Sequence, residues 1–156
     1  MADASVKVTT STQITHIGSG ASMAAGALSA SADISTALAG TGNLARYPRA
    51  DVTLMIAPTA SIAAASTNLY LYRRDLNIDG TNDAPIPGVS NKFRYVGLFQ
   101  ASAATTVSTT QYLEAKDVSL GAPGDCEFYI ENGLGVNVPA GWTLKVTPKT
   151  DVGASA

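Results

Sequence analysis

The sequence predicts an all-β fold over residues 46–150, an antiparallel β-sandwich of the jelly-roll or Greek-key type. Between Tyr47 and Pro148, large apolar side chains alternate with polar ones over short runs, which is the period of half-buried strands. Turn-forming pairs such as Asp79-Gly80 separate these runs. The same stretch has no sustained 3.6-residue period with helix caps. Together these observations favour strands joined by turns.

The alternation defines six strands in chain order, each with an apolar face directed toward a common core. The inward residues of the six strands are Val52, Leu54 and Ile56; Leu69 and Leu71; Phe93, Tyr95 and Phe99; Leu113; Cys126, Phe128 and Ile130; and Trp142, Leu144 and Val146. At about 1.5–3 kcal/mol for each fully buried large side chain, this set can hold together a domain of about 100 residues.

Residues 1–45 have a different composition, with only three charged side chains and no aromatic residue. Alternation and a high threonine content before residue 17 favour an extended strand there. The segment buries too little apolar surface to fold alone, so we expect an extended N-terminal arm along a partner subunit. Extra strands of the same domain are the alternative. The expected anchoring residues of the arm are Val6, Val8, Ile14 and Ile17. Residues 151–156 are assigned to a C-terminal tail.

The composition of the 156-residue chain excludes several classes of protein. Only 14% of the residues are charged and the net charge is −2, which argues against a nucleic-acid binder, since such a protein needs a clustered cationic face. One cysteine excludes a disulfide within the chain and a multi-cysteine metal site. No run approaches 18 large apolar residues, and no basic start precedes an apolar run, so neither a membrane span nor a secretory signal is predicted.

The sequence contains no recognisable catalytic motif. His16 is the only histidine, and GSGAS at 18–22 does not match the G-x-S-x-G nucleophile elbow. No phosphate-binding glycine motif occurs. Cys126 lies on the inward face of its strand and is interpreted as a small core residue. We therefore expect no enzymatic activity, no catalytic residue and no cofactor.

The segment 75–83 resembles the opening of a calcium-binding loop, with oxygen-bearing side chains at alternate positions before Gly80. The bidentate glutamate of such loops is missing, because Ile86 occupies the twelfth position. Asp, Asn and Gly are also the residues that a tight β-turn requires. A hydrogen-bonded loop without metal is the favoured interpretation and a bound cation is the alternative. Its polar residues are candidate contacts with a partner: Asp75, Asn77 and Asp79.

Three tyrosines occupy the outward positions of the predicted strands, where a solvated sheet would have polar residues. These are Tyr70, Tyr72 and Tyr129, and they lie near few charges. Tyrosine is enriched at protein interfaces, so these three are predicted to contact another subunit. Ordinary surface tyrosines packed under loops are the alternative.

Several segments in order resemble the small decoration (cement) proteins of tailed-phage capsids. They are LYLYRRDLNIDGTNDAPIPG at 69–88, FRYVGLF at 93–99, TTQYLEAKDVSLGAPGDCEFYIENGLG at 109–135 and AGWTLKVTPKT at 140–150, preceded by YPRAD from Tyr47. The resemblance implies a jelly roll without enzymatic activity, often a homotrimer, that docks onto the major capsid protein. It also implies synthesis in the host cytoplasm and a final place on the outer surface of the capsid. Residues 1–45 are outside it.

Two other classes of function remain open at this point. One is another virion component, such as a head fibre base, a tail protein or a receptor-binding domain. The other is a carbohydrate-binding jelly roll, a class that presents exposed aromatic residues together with carboxylates in a concave face. The acidic residues of this sequence lie mostly in turns or singly along strands, which favours the structural virion protein.

Overall fold

The computed structural model describes residues 7–10, 12–35, 38, 47–57, 68–88, 94–101, 110–120 and 125–152. The described residues form eight strands and one short 3₁₀ turn at Ser31–Asp33. The strands are β1 (Lys7–Thr10), β2 (Ile14–Gly20), β3 (Arg49–Ile56), β4 (Asn68–Asp75), β5 (Tyr95–Gln100), β6 (Gln111–Ser119), β7 (Cys126–Asn132) and β8 (Trp142–Val152).

The strands form two antiparallel sheets that pack against each other. The large sheet has the order β1-β8-β3-β6, with β2 pairing beside β1 on β8, and the small sheet has the order β5-β4-β7. Every strand pair in both sheets is antiparallel. The predicted all-β antiparallel sandwich is therefore confirmed, while its jelly-roll topology stays a prediction.

The core lies between the two sheets and contains most of the residues that alternation placed inward. On β3, for example, Val52, Leu54 and Ile56 are at most 1% exposed. Further predicted core residues that are buried are Leu69, Leu71, Phe99, Leu113, Cys126, Phe128, Ile130, Trp142, Leu144 and Val146. Phe93 lies outside the described residues.

The inward position predicted for Tyr95 is wrong, because its side chain is 52% exposed. Leu71 pairs with Gly97 and Tyr72 pairs with Tyr95, so β5 has one residue, Val96, more than β4 over this interval. Such a β-bulge reverses the faces of the residues before it. Gly97 takes the inward place instead, where an added Cβ would lie 3.2 Å from the Ala115 Cβ.

The described part of residues 1–45 belongs to the sandwich. β2 pairs with β8, where Ile17 lies opposite Leu144. The chain then passes along the small sheet, where Leu28 and Leu38 form isolated bridges with residues of β7. We call residues 12–35 and Leu38 the N-terminal belt. The expectation of an arm on a partner subunit is corrected over these residues: they form the alternative, strands and bridges of the same domain.

The reason for the difference is that the belt gains its partners from the far end of the same chain. β8 and β7 would otherwise be edge strands, whose unpaired backbone groups need a partner. The belt supplies one to each sheet and places Ile17, Met23 and Leu38 in the core. Among the described residues, β5 and β6 are the terminal strands on the opposite side of the sandwich.

Candidate functional site

A groove lies between the terminal strands β5 and β6, on the side of the sandwich opposite the belt. Its volume is about 520 Å³, and it is lined by Leu98, Gln100, Tyr112, Leu113 and Glu114. We call this region the β5–β6 groove. At this edge of the sandwich, no described residue of the belt pairs with either sheet. The groove combines apolar, aromatic and polar side chains in one concave surface.

Strand alternation explains how the groove residues are presented. On β6, Leu113 is buried while Tyr112, beside it, is 65% exposed. On β5, Phe99 is buried in the core, so Leu98 and Gln100 on either side of it point outward. The groove therefore has a buried leucine at its base and an exposed tyrosine at its rim.

A cluster of three tyrosines continues the groove across the outer face of the small sheet. Leu98, in the groove, pairs directly with Tyr70 of β4. The rings of Tyr70 and Tyr95 lie edge to face with centroids 6.3 Å apart, and those of Tyr72 and Tyr95 are 6.1 Å apart. Tyr95 is exposed and Tyr70 is half-buried, so the cluster offers aromatic surface to a partner.

Tyr72 is the buried member of this cluster, so its predicted role as an interface residue is corrected. It is only 6% exposed, and its hydroxyl donates to Glu131 Oε2 at 2.9 Å. Burial, reinforced by the Glu131 carboxylate, raises the pKa of the Tyr72 hydroxyl. Because the Tyr72 hydroxyl is hydrogen-bonded inside the protein, the rings of Tyr70 and Tyr95 are the parts of the cluster that face a partner.

Tyr129 is likewise buried, with no exposed surface, so its predicted interface role is also corrected. Its hydroxyl donates to Glu127 Oε2 at 2.9 Å, and Arg74 donates to the same oxygen at 3.0 Å. Burial and then Glu127 raise the pKa of Tyr129 to about 12. Tyr72 and Tyr129 are therefore both buried within the chain.

Two exposed tyrosines of this region, Tyr95 and Tyr112, were missed as interface candidates. The bulge at Val96 hides Tyr95 from any alternation rule, because it shifts the register by one residue. Tyr112 could have been found, since it directly precedes the inward Leu113 on β6 and therefore lies on the outer face.

The loop 75–83 is held by its own hydrogen bonds. Asp79 accepts from the amides of Thr81 and Asn82, at 2.9 and 2.7 Å, and the donors of Asn82 and Thr81 lower its pKa. Asp83 Oδ1 accepts from the Asn77 amide at 3.0 Å. Asp75 pairs with Arg73. Within the described ranges, no group of three or more His, Cys, Asp or Glu residues is placed to hold a metal ion.

Two of the anchoring residues predicted for an arm lie against the protein's own core. Ile17 is fully buried, so its predicted interface role is corrected, and Ile14 packs, half-buried, against the same cluster. Val8 lies on β1, opposite Asp151 of β8. Val6 lies outside the described residues.

His16 and Cys126, whose residue types often act as catalytic bases or nucleophiles, both lie inside the sandwich. Cys126 is 1% exposed, which confirms its predicted place in the core. Burial raises the pKa of its thiol to about 12. His16 is fully buried, and its Nε2 accepts a hydrogen bond from the backbone amide of Phe128 at 3.0 Å.

No helix in the described part of the chain is long and apolar enough to cross a membrane.

Comparison with known proteins gives no family for the chain. No family model matches it, and no curated protein matches it significantly.

Proposed function

We propose that this chain is a structural virion protein that decorates and stabilises the outer surface of a tailed-phage capsid by binding the major capsid protein. The observation that carries the proposal from the geometry is the exposed aromatic surface around the β5–β6 groove. Tyr112 and Tyr95 are 65% and 52% exposed there. The ordered resemblance across residues 46–150 supports the same class of protein.

The chemistry of this surface suits protein docking. Tyrosine buries a large area on binding, loses little rotamer freedom and is enriched at interfaces. Strand β5 carries no charged residue, so its burial against a partner removes no charge from water. Tyr95 and Tyr112 therefore become the anchors of the proposed docking surface, with Leu98 between them.

A shell multiplies a modest contact. In a homotrimer of three chains, three docking surfaces engage the capsid at once, and the second and third contacts form at high effective concentration. This role requires neither catalysis nor a cofactor. The proposed location is the outer surface of the capsid, reached after synthesis in the host cytoplasm.

A second candidate, a carbohydrate-binding β-sandwich, is favoured by one specific observation. The residues that line the groove include Tyr112, Gln100 and Glu114, an aromatic residue, an amide and a carboxylate. An aromatic face with adjacent polar groups is an arrangement that a sugar ring can use. A glycan array separates the candidates: the capsid role predicts no binding, and selective binding lost in Tyr112→Ala would support the carbohydrate role.

The proposal is tested by fractionating the virion of the phage that encodes the chain. Purified heads that lack tails and purified tails are compared by quantitative mass spectrometry. A decoration protein is expected with the heads, in a fixed ratio to the major capsid protein. Recovery with the tails would overturn the proposal and assign the chain to another virion component.

A further inference from the structure

His16 joins the two sheets inside the sandwich. It lies on β2 of the large sheet, and its Nε2 accepts from the Phe128 amide on β7 of the small sheet at 3.0 Å. The imidazole and the Phe128 ring meet edge to face at 6.0 Å and 80°. The side chain is fully buried, so this hydrogen bond forms away from water.

The geometry fixes the protonation state of the ring. A nitrogen that accepts a hydrogen bond has a free lone pair, so the proton of the neutral imidazole lies on Nδ1. A doubly protonated imidazolium has donors at both nitrogens and no acceptor. In the closed structure it would place an N–H of His16 against the N–H of Phe128, which is strongly unfavourable.

The same residue holds the belt in place through its backbone. The carbonyl of His16 accepts from the Ser35 amide at 2.9 Å and from the Ser35 hydroxyl at 3.1 Å. Further along the belt, the Leu38 carbonyl accepts from the Cys126 amide at 3.1 Å, and the Ser29 hydroxyl accepts from the Ile130 amide at 3.0 Å. The belt therefore contacts β7 at three separate places, through His16, Ser29 and Leu38.

Several charged and titratable groups lie on the elements packed against His16. On β7, Glu127 binds Arg74 and Tyr129, and Glu131 binds Tyr72. Further such groups are Cys126 on β7 and Asp33 in the 3₁₀ turn, where its carboxylate accepts from the Ala30 amide. On β8 they are Lys145, opposite Thr15, Lys149, which donates to Asp51, and Asp151, opposite Val8.

We propose that His16 is a proton-operated latch: the neutral ring holds the belt against β7, and protonation opens the contacts of the belt with Phe128 and Cys126 on β7 while β2 stays paired with β8 and the sheets remain folded. This inference is independent of the capsid role. A free imidazole titrates near pH 6.5, so the released form takes up a proton below that pH while the closed form does not. Closure is therefore fully stable above about pH 6.5 and weakens as the pH falls, and opening increases up to about tenfold per pH unit for one proton.

The single cysteine provides the probe for this opening. Cys126 is buried beside Leu38 and becomes accessible when the belt leaves β7. The full chain is treated with 4,4′-dithiodipyridine between pH 7.5 and 5.0, and each rate is divided by that of the urea-unfolded chain at the same pH. Below about pH 6.5 the normalised rate of the wild type is expected to rise about tenfold per pH unit.

The matched variant is His16→Gln, whose amide oxygen can accept from the Phe128 amide but does not titrate in this range. Its normalised rate is expected to stay constant across the same pH range. Equal pH dependence in the wild type and His16→Gln would overturn the latch.

A measurement on the wild type keeps the test decisive if His16→Gln does not fold. Nitrogen-15 NMR of the ring is expected to show an unprotonated Nε2, and amide exchange of Phe128 is expected to accelerate at low pH before that of Leu54 in the centre of β3. An imidazolium with a fully protected Phe128 amide would overturn the proposal. So would loss of Leu54 protection in step with Phe128, since this indicates global unfolding.

Discussion

The indole N–H of Trp142 donates to the backbone carbonyl of Ala21 at 2.8 Å, joining residues 121 positions apart in the chain. Trp142 begins β8, and Ala21 directly follows β2 in the belt. Gly20, paired with Trp142 in the sheet, lies against the indole ring. The largest side chain of the core is therefore packed and hydrogen-bonded by the N-terminal belt, which makes the belt part of the core.

Substitution Gly20→Ala tests this contact. An added Cβ would lie 2.0 Å from Trp142 Cε2, so the indole or the backbone must shift. Overpacking of this kind costs about 1–3 kcal/mol of unfolding free energy, or about 2–4 °C in Tm for each kcal/mol. The control is Gly18→Ala on the same strand, where the nearest atom would be 3.6 Å away. Equal melting temperatures for the two variants would contradict the packing described.

Removal of residues 1–40 is expected to destabilise the sandwich strongly. The deletion takes Ile17 and Met23 from the core and leaves β8 and β7 as bare edges. Circular dichroism melting and size-exclusion chromatography measure the loss of folding and the aggregation expected. An unchanged melting curve would show that the belt is dispensable.

A point substitution separates packing from chain length. Ile17→Ala removes a fully buried side chain and is expected to cost about 2–5 kcal/mol of unfolding free energy. Thr15→Ala, two residues earlier on an exposed position, is the control and is expected to change stability by about 0.5 kcal/mol or less.

The strands could be predicted from the sequence because their signal is local. On β3 and β8, alternate residues are buried between the sheets, and this pattern can be read from a window of a few residues. Strand β7 departs from the rule, since Phe128 and its neighbour Tyr129 are both fully buried. Alternation assigns such a neighbour to the surface, which is why Tyr129 was predicted at an interface.

The belt and the groove could not be predicted in the same way. The belt has few large apolar residues, and its stability comes from pairing with β7 and β8, more than 80 residues away in sequence. Alternation indicated a strand before residue 17, but a local pattern does not identify the distant strand with which it pairs. The exposed position of Tyr95 follows only from the register shift at Val96, because one extra residue in β5 moves the preceding residues of that strand to the opposite face of the sheet.

The stability of the fold is expected to fall as the pH rises above 10. Tyr129 ionises near its ordinary pKa of 10.0 in the unfolded chain but only near about 12 in the fold. The unfolded state therefore loses its proton first, and alkaline pH favours unfolding between these values. Urea midpoints measured from pH 9 to 12 should show a shallower decline for Tyr129→Phe. The exposed Tyr112→Phe serves as the control, and an identical slope in all three proteins would contradict the assignment.

Chelation is expected to leave the protein unchanged. In the 75–83 loop, the carboxylates of Asp75, Asp79 and Asp83 already accept hydrogen bonds from side-chain or backbone donors. A bound cation would add stability that EDTA removes. The Tm in EDTA should therefore equal the Tm in calcium. A fall of several degrees in EDTA, restored by calcium, would instead establish the cation-binding alternative.

Binding of the purified chain to tail-free heads stripped of their decoration tests the central claim most directly. Co-sedimentation at increasing concentration is expected to saturate at a fixed ratio to the major capsid protein. Tyr95→Ala and Tyr112→Ala should each weaken binding by about 2 kcal/mol, roughly 30-fold in Kd, if they are anchors, while Lys145→Ala on the large sheet should not. A folded wild-type chain that stays in the supernatant at every concentration would contradict the account.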